Sequence, residues 1–171
     1  MADLIDEVIL RETGGKPNGG YTNDPLDAGG RTIWGISERG NPDLWRNGPP
    51  TYAQARQRYF ERYVAPFQGI EDPVLLHQLV DWGVTSGPKR AIQSLQQVVG
   101  AAVDGVLGPQ SLKKVNGFPA GTLYGEPATG RQRLNVLMTN ARIMQYAGAT
   151  KAKPTNLRFI LGWLKRAMEF L

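Results

Sequence analysis

The chain has 171 residues, of which 41% are hydrophobic and 20% charged, a size and balance that fit one folded domain and argue against a disordered chain or two full enzymatic domains. It carries no cysteine and a single histidine, His77, which removes disulfide scaffolds, thiolate nucleophiles, zinc–thiolate centres and iron–sulfur clusters and leaves carboxylates, hydroxyls and amides to do any chemistry. The net charge of +5 favours anionic polymers as partners, yet residues 1–30 hold six acids against two bases, so an acidic corner of −4 sits on a body of +9.

The first helix is predicted over 2–13, where Leu4, Ile5, Val8 and Ile9 fall at helical spacing and Glu12 lies in the last turn. The stretch from Gly14 to Gly35 is rich in paired glycines and carries Pro17 and Pro25, which makes it loop and hairpin. Within it, Tyr21 to Asn23 and Arg31 to Trp34 are predicted as two short strands flanking the turn NDPLDAGG. Helices return over 51–64 behind a Thr51 cap, over 73–84 with Pro73 in the first turn, and over 88–100 ending in Gly100. Two more follow near 129–147 and 156–170, with linker-like residues at 117–130 and 151–154. The expected fold class is mainly α, with one small β excursion after the first helix. No apolar run reaches the roughly 20 residues that span a bilayer, and the acidic start MADLIDEVILRE is unlike a signal peptide, so the chain reads as one made in the cytosol.

Glu12 on a helix end, two carboxylates (Asp24 and Asp27) and the hydroxyl of Thr32 make up the inventory that glycosidic hydrolysis requires. One carboxyl donates a proton to the leaving oxygen, and a second polar group holds water or stabilises the oxocarbenium-like transition state. No metal or cofactor is needed. The same residues also read as a surface glutamate followed by a glycine-rich loop, because Glu is usually solvated.

The run from Glu12 to Ile36 resembles the signature E-G-G-Y-x-N-D-P-x-D-x-G-G-x-T-x-x-G-I of the glycoside hydrolase family 108 muramidases, found in bacteriophage endolysins and prophage lysozymes. Asn23, Asp24, Pro25, Asp27, Gly29, Gly30, Thr32, Gly35 and Ile36 all match. Eight residues separate Glu12 from Tyr21 where the family pattern has two, so Glu12 aligns across an insertion. The segments LVDWGV (79–84) and VDGVLGP (103–109) look like the C-terminal region of the same family, described as a predicted peptidoglycan-binding region.

The resemblance implies a lysozyme-like α+β fold in which 1–171 is a single domain, with the catalytic signature in 1–40 and a helical lobe over 66–171. It implies an endolysin that hydrolyses the β-1,4 bond between N-acetylmuramic acid and N-acetylglucosamine in peptidoglycan, with inversion. Glu12 would be the general acid, raised in pKa by partial burial, and Asp27 with Thr32 would hold the attacking water. Asp24 competes for that place or shapes the turn. A lytic transglycosylase and a non-catalytic wall-binding protein are the alternatives.

Tyr21 and Trp34 are candidates to stack on sugar rings. In DGVLGP, Asp104 is expected to cap, and Gly105 and Gly108 to supply positive φ; His77 is expected to be structural. The partner is peptidoglycan rather than nucleic acid, since no basic cluster is interleaved with aromatics. The protein is expected to be a monomer that reaches the wall after the membrane is permeabilised. The basic segment 151–171, with five bases and one acid, reads as a terminal helix docked on the core, or as one in peripheral contact with an anionic membrane.

Overall fold

The computed structural model describes residues 2–24 and 29–171. The chain divides into two compact units, Met1–Ala65 and Pro66–Leu171. The architecture is mainly α with two small antiparallel strand pairs, as the helical periodicities predict.

In the first unit, helix α1 (Ala2–Thr13) buries Ile5, Val8 and Ile9 and packs on α3 (Tyr52–Tyr59). The loop after α1 closes with a left-handed turn over Pro17–Gly20, Asn18 and Gly19 having φ of 55° and 67°, and the carbonyl of Gly19 accepts from the Trp34 amide at 2.7 Å. Strands β1 (Thr32–Ile33) and β2 (Ile36–Ser37) pair antiparallel, with Thr32 opposite Ser37 and Ile33 opposite Ile36. The turn between them is Trp34–Gly35, with φ of 53° and 72°, the doubly left-handed geometry whose twist suits a two-residue hairpin.

This corrects the predicted strand pairing. Arg31–Trp34 turns forward onto Ile36–Ser37, and the predicted strand Tyr21–Asn23 contributes only Thr22, bonded through both backbone groups to Thr32 at 2.9 and 3.0 Å. A two-residue turn closes the pair at less entropic cost than the longer segment NDPLDAGG. The short helix α2 (Pro42–Trp45), which the sequence did not announce, sets Trp45 into the core, its indole N–H donating to the Ile36 carbonyl at 3.3 Å. Thr51 and Gln54 form the capping box that opens α3, and a wider helical turn carries the chain on to Val64.

The second unit is built from α4 (Pro73–Ser86), α5 (Pro88–Val99), α6 (Pro109–Asn116), α7 (Gly130–Ala152) and α8 (Leu157–Met168). Proline stands first in α4, α5 and α6, where its missing N–H costs nothing. Gly100 ends α5 in the left-handed conformation, as predicted. Leu75, Leu79, Val80, Trp82, Leu95, Leu134 and Met138 fill the core.

A ladder of polar pairs joins α4 to α7: Asn135 donates to Asp72 at 3.0 Å, Gln78 to Thr139 at 2.6 Å, Arg142 to Asp81 at 2.5 Å and Trp82 to Gln145 at 3.1 Å. Residues 117–130, read as a linker, instead hold strands β3 (Gly121–Leu123) and β4 (Glu126–Ala128), tied down by Arg133, which donates to the Pro119 carbonyl at 2.6 Å.

The DGVLGP turn is organised differently from expectation. Asp104 accepts from the Val106 amide at 2.8 Å and from buried Gln96 at 2.7 Å, an Asx turn rather than a helix cap. Gly105 has φ of 79°, as expected, whereas Gly108 has φ of −82° and simply precedes α6. His77 packs edge-on against Phe170, a structural contact.

Candidate active site

Glu12 stands on the last turn of α1 beside the hairpin turn. A Cβ built on Gly35 would lie 3.5 Å from the Glu12 Cβ and 2.3 Å from the phenolic oxygen of Tyr59, so only glycine lets the turn come this close to both. The insertion between Glu12 and Tyr21 therefore does not carry the glutamate away from the signature loop. It folds into a short reversal in which Gly19 lies under the Trp34 indole.

Glu12 is exposed, which corrects the expectation that partial burial sets its proton affinity. The buried neighbour is Tyr59, at 5% exposure. Burial pushes its phenol above the ordinary tyrosine value, and the charges of Glu12 and then Tyr63 add to the effect. Tyr59 thus remains a neutral hydroxyl at the foot of the carboxylate. Nothing in the stretch RQRYFERY marks this tyrosine out from its neighbour Tyr63, because its role arises from tertiary packing.

Asp27 lies outside the described residues, as do Pro25, Leu26 and Ala28. Asp24 is exposed and lines an open recess of about 470 Å³ together with Asn23, Arg31, Glu38 and Arg39. Glu38 is a carboxylate that the sequence reading passed over. Arg31 grips it with two bonds of 2.9 and 2.6 Å, holding its carboxyl below the ordinary value while its own guanidinium pKa is raised. Arg31 also lies over the Trp45 ring at 5.1 Å, so the pair braces the base of the hairpin. Thr32, half-buried on β1, directs its hydroxyl to the Gly30 carbonyl at 3.3 Å, three residues before Gly35, the turn residue beside Glu12.

Tyr21 is 45% exposed, a surface ring at the start of the signature loop. Trp34 is only half-buried. Its ring lies over Gly19, meets Tyr52 edge-on at 4.9 Å, and with Ile9, Leu10 and Thr13 lines a recess of about 440 Å³. The hairpin thus sends the backbone at Gly35 toward Glu12 and the indole of Trp34 toward the other side of α1.

Residues 10–87 match the family model of glycosyl hydrolase 108, and residues 90–168 match that of a predicted peptidoglycan domain. Among solved structures, SagA of Brucella abortus is similar over 99% of this chain and 92% of its own, at 25% identity and a TM-score of 0.66. No curated protein matches the sequence. The glycosyl hydrolase match encloses Glu12, the hairpin and α4, and the second match runs from Arg90 within α5 to the end of α8. Residues 10–87 are thus a glycosyl hydrolase 108 segment and residues 90–168 a predicted peptidoglycan domain, which together make the chain a glycoside hydrolase that acts on peptidoglycan.

Proposed function

We propose that the protein is a muramidase that hydrolyses the β-1,4 bond between N-acetylmuramic acid and N-acetylglucosamine. The observation that carries this reading is the placement of Glu12 against the closed turn of the signature hairpin. There the residue is exposed, near the buried phenol of Tyr59, where a glycan strand laid on the hairpin would cover it. Glu12 donates its proton to the leaving oxygen as the bond breaks. The attacking water is held on the opposite face of the sugar by a carboxylate of the signature loop, Asp27 or Asp24, with the Thr32 hydroxyl as second anchor. That division of labour is inverting, and needs the two carboxyls roughly 6.5–9.5 Å apart to admit water. Tyr21 supplies a ring face at the start of the signature loop, and Trp34 supplies one in the recess it lines with Leu10 and Thr13 on the other side of α1.

The protein acts as an endolysin and as a monomer, reaching the wall once the membrane has been permeabilised. Mass spectrometry of digested sacculi tests the reading: reducing muramic ends support hydrolysis, anhydro ends mean transglycosylation, and no new ends mean wall binding without catalysis. Proton NMR of the first-formed product tests the stereochemistry, with an α-configured muramic end expected and a β end pointing to a carboxylate nucleophile instead.

A further inference from the structure

Helix α8 presents two different faces. One side holds it to the rest of the second unit: Ala167 is fully buried, the Trp163 ring packs tilted by 34° against Tyr146 with centroids 5.2 Å apart, and Arg166 donates to Asp81 at 2.7 Å. Just beyond the helix, Phe170 is 8% exposed against His77. The docked side is thus secured by ring packing and an ion pair, and it leaves the remaining apolar residues unused. Leu157, Leu161 and Met168 are 61%, 79% and 56% exposed. At 3.6 residues per turn these three project within about 40° of one another, a single apolar stripe along the outer face. Lys165 and Arg158 border it, both exposed, and Lys151 and Lys153 precede the helix.

Three large apolar side chains in one line, all more than half in water, differ from scattered surface leucines. An occupant of the stripe must offer an apolar phase together with negative charge. A glycan strand offers no apolar phase, and a second copy of this chain would set Lys165 and Arg158 against their own kind. A bilayer of anionic lipid offers both. No described helix is long and apolar enough to cross a membrane, so the helix would lie in the interface. We propose that the outer face of α8 is a docking surface for anionic lipid bilayers, with Leu157, Leu161 and Met168 entering the acyl boundary and Lys165 and Arg158 meeting the headgroups. The docked side of α8 stays in place, so the surface is available without unfolding. This proposal is independent of the bond the enzyme cleaves.

The full chain is floated with vesicles of pure phosphatidylcholine and with vesicles in which phosphatidylglycerol replaces part of it. Binding to the anionic vesicles alone is expected. L157Q/L161Q should lower the partition coefficient on the order of tenfold or more, and K165Q/R158Q should remove the preference for anionic lipid. Both variants should keep the parent's melting curve, because all four positions are exposed. The proposal is overturned by absence of binding to anionic vesicles, by equal binding to both compositions, or by a double leucine variant that binds like the parent. It is also overturned if the parent self-associates through the stripe, seen as a concentration-dependent mass that L157Q/L161Q abolishes. Failure to cleave sacculi would count against the muramidase reading and leave this result untouched.

Discussion

At the scale of single residues, the site rests on one carboxylate, one phenol and the glycine that lets a turn reach them both. Glu12→Gln keeps the shape of the side chain and removes the proton that the leaving oxygen needs in the proposed mechanism. It is expected to lower sacculus clearing by at least ~100-fold while shifting stability by no more than about 0.5 kcal/mol, because the position is exposed. A variant that clears sacculi within tenfold of the parent would remove Glu12 from the mechanism. Tyr59 yields a prediction from pH. Its phenol is held above the ordinary value of about 10, so the fold favours the protonated form. That contribution is complete below pH ~10 and drains away as pH rises toward the folded value. Tyr59→Phe lacks it, so between pH 8 and pH 11 the parent should lose more in Tm than the variant does; equal losses would mean that other groups carry the alkaline decline. Thr32 and Gly35 were legible in the sequence because the signature runs without a gap from Tyr21 to Ile36, and Glu12 was legible only across the insertion that precedes it. Tyr59 and Glu38 were not, since one acquires its role from burial across α3 and the other from the reach of Arg31.

At the scale of elements, Asp81 is where three helices meet. It sits on α4, accepts from Arg142 of α7 at 2.5 Å and from Arg166 of α8 at 2.7 Å, and both Asp81 and Arg142 are almost fully buried. An arginine enclosed in this way is tolerated only with its partner in place. Asp81→Asn should therefore cost about 3–5 kcal/mol, read as a lower urea midpoint at unchanged slope. Replacing the buried couple together, as Asp81→Leu with Arg142→Met, should restore part of that loss, because the fully buried charge goes with it and only the half-buried Arg166 loses its carboxylate. A double variant as unstable as Asp81→Asn would place the cost in lost packing instead. The helices themselves were readable from their punctuation: Thr51, Pro73, Pro88 and Gly100 mark ends within a residue or two of those observed. The core of α7 was not, because NVLMTNAR (135–142) shows a polar face whose Asn135, Thr139 and Arg142 turn inward to pair with α4. The β3–β4 hairpin was missed for a related reason: its strands are exposed and held from outside by Arg133.

At the scale of the whole molecule, the boundary between the two family segments and the boundary between the packed units do not coincide. The family models part between residues 87 and 90, whereas the units part between Ala65 and Pro66. Helix α4 therefore belongs by sequence to the glycosyl hydrolase segment and by packing to the helices of the predicted peptidoglycan domain. It gives that unit Leu75, Leu79, Val80 and Trp82, none more than 1% exposed. Each such side chain is worth about 1.5–3 kcal/mol when buried, against a stability of about 5–15 kcal/mol for a whole domain. It also supplies Asp81, without which Arg142 is a buried, unmatched charge. A chain of residues 88–171, cut where the family models part, should therefore lack a cooperative thermal transition, show poor amide dispersion by NMR and bind hydrophobic dyes. A chain of residues 66–171 retains α4 and should melt in one sigmoidal step. If residues 88–171 melt cooperatively with dispersed amides, α4 is dispensable to that core and the peptidoglycan segment is an independent module after all.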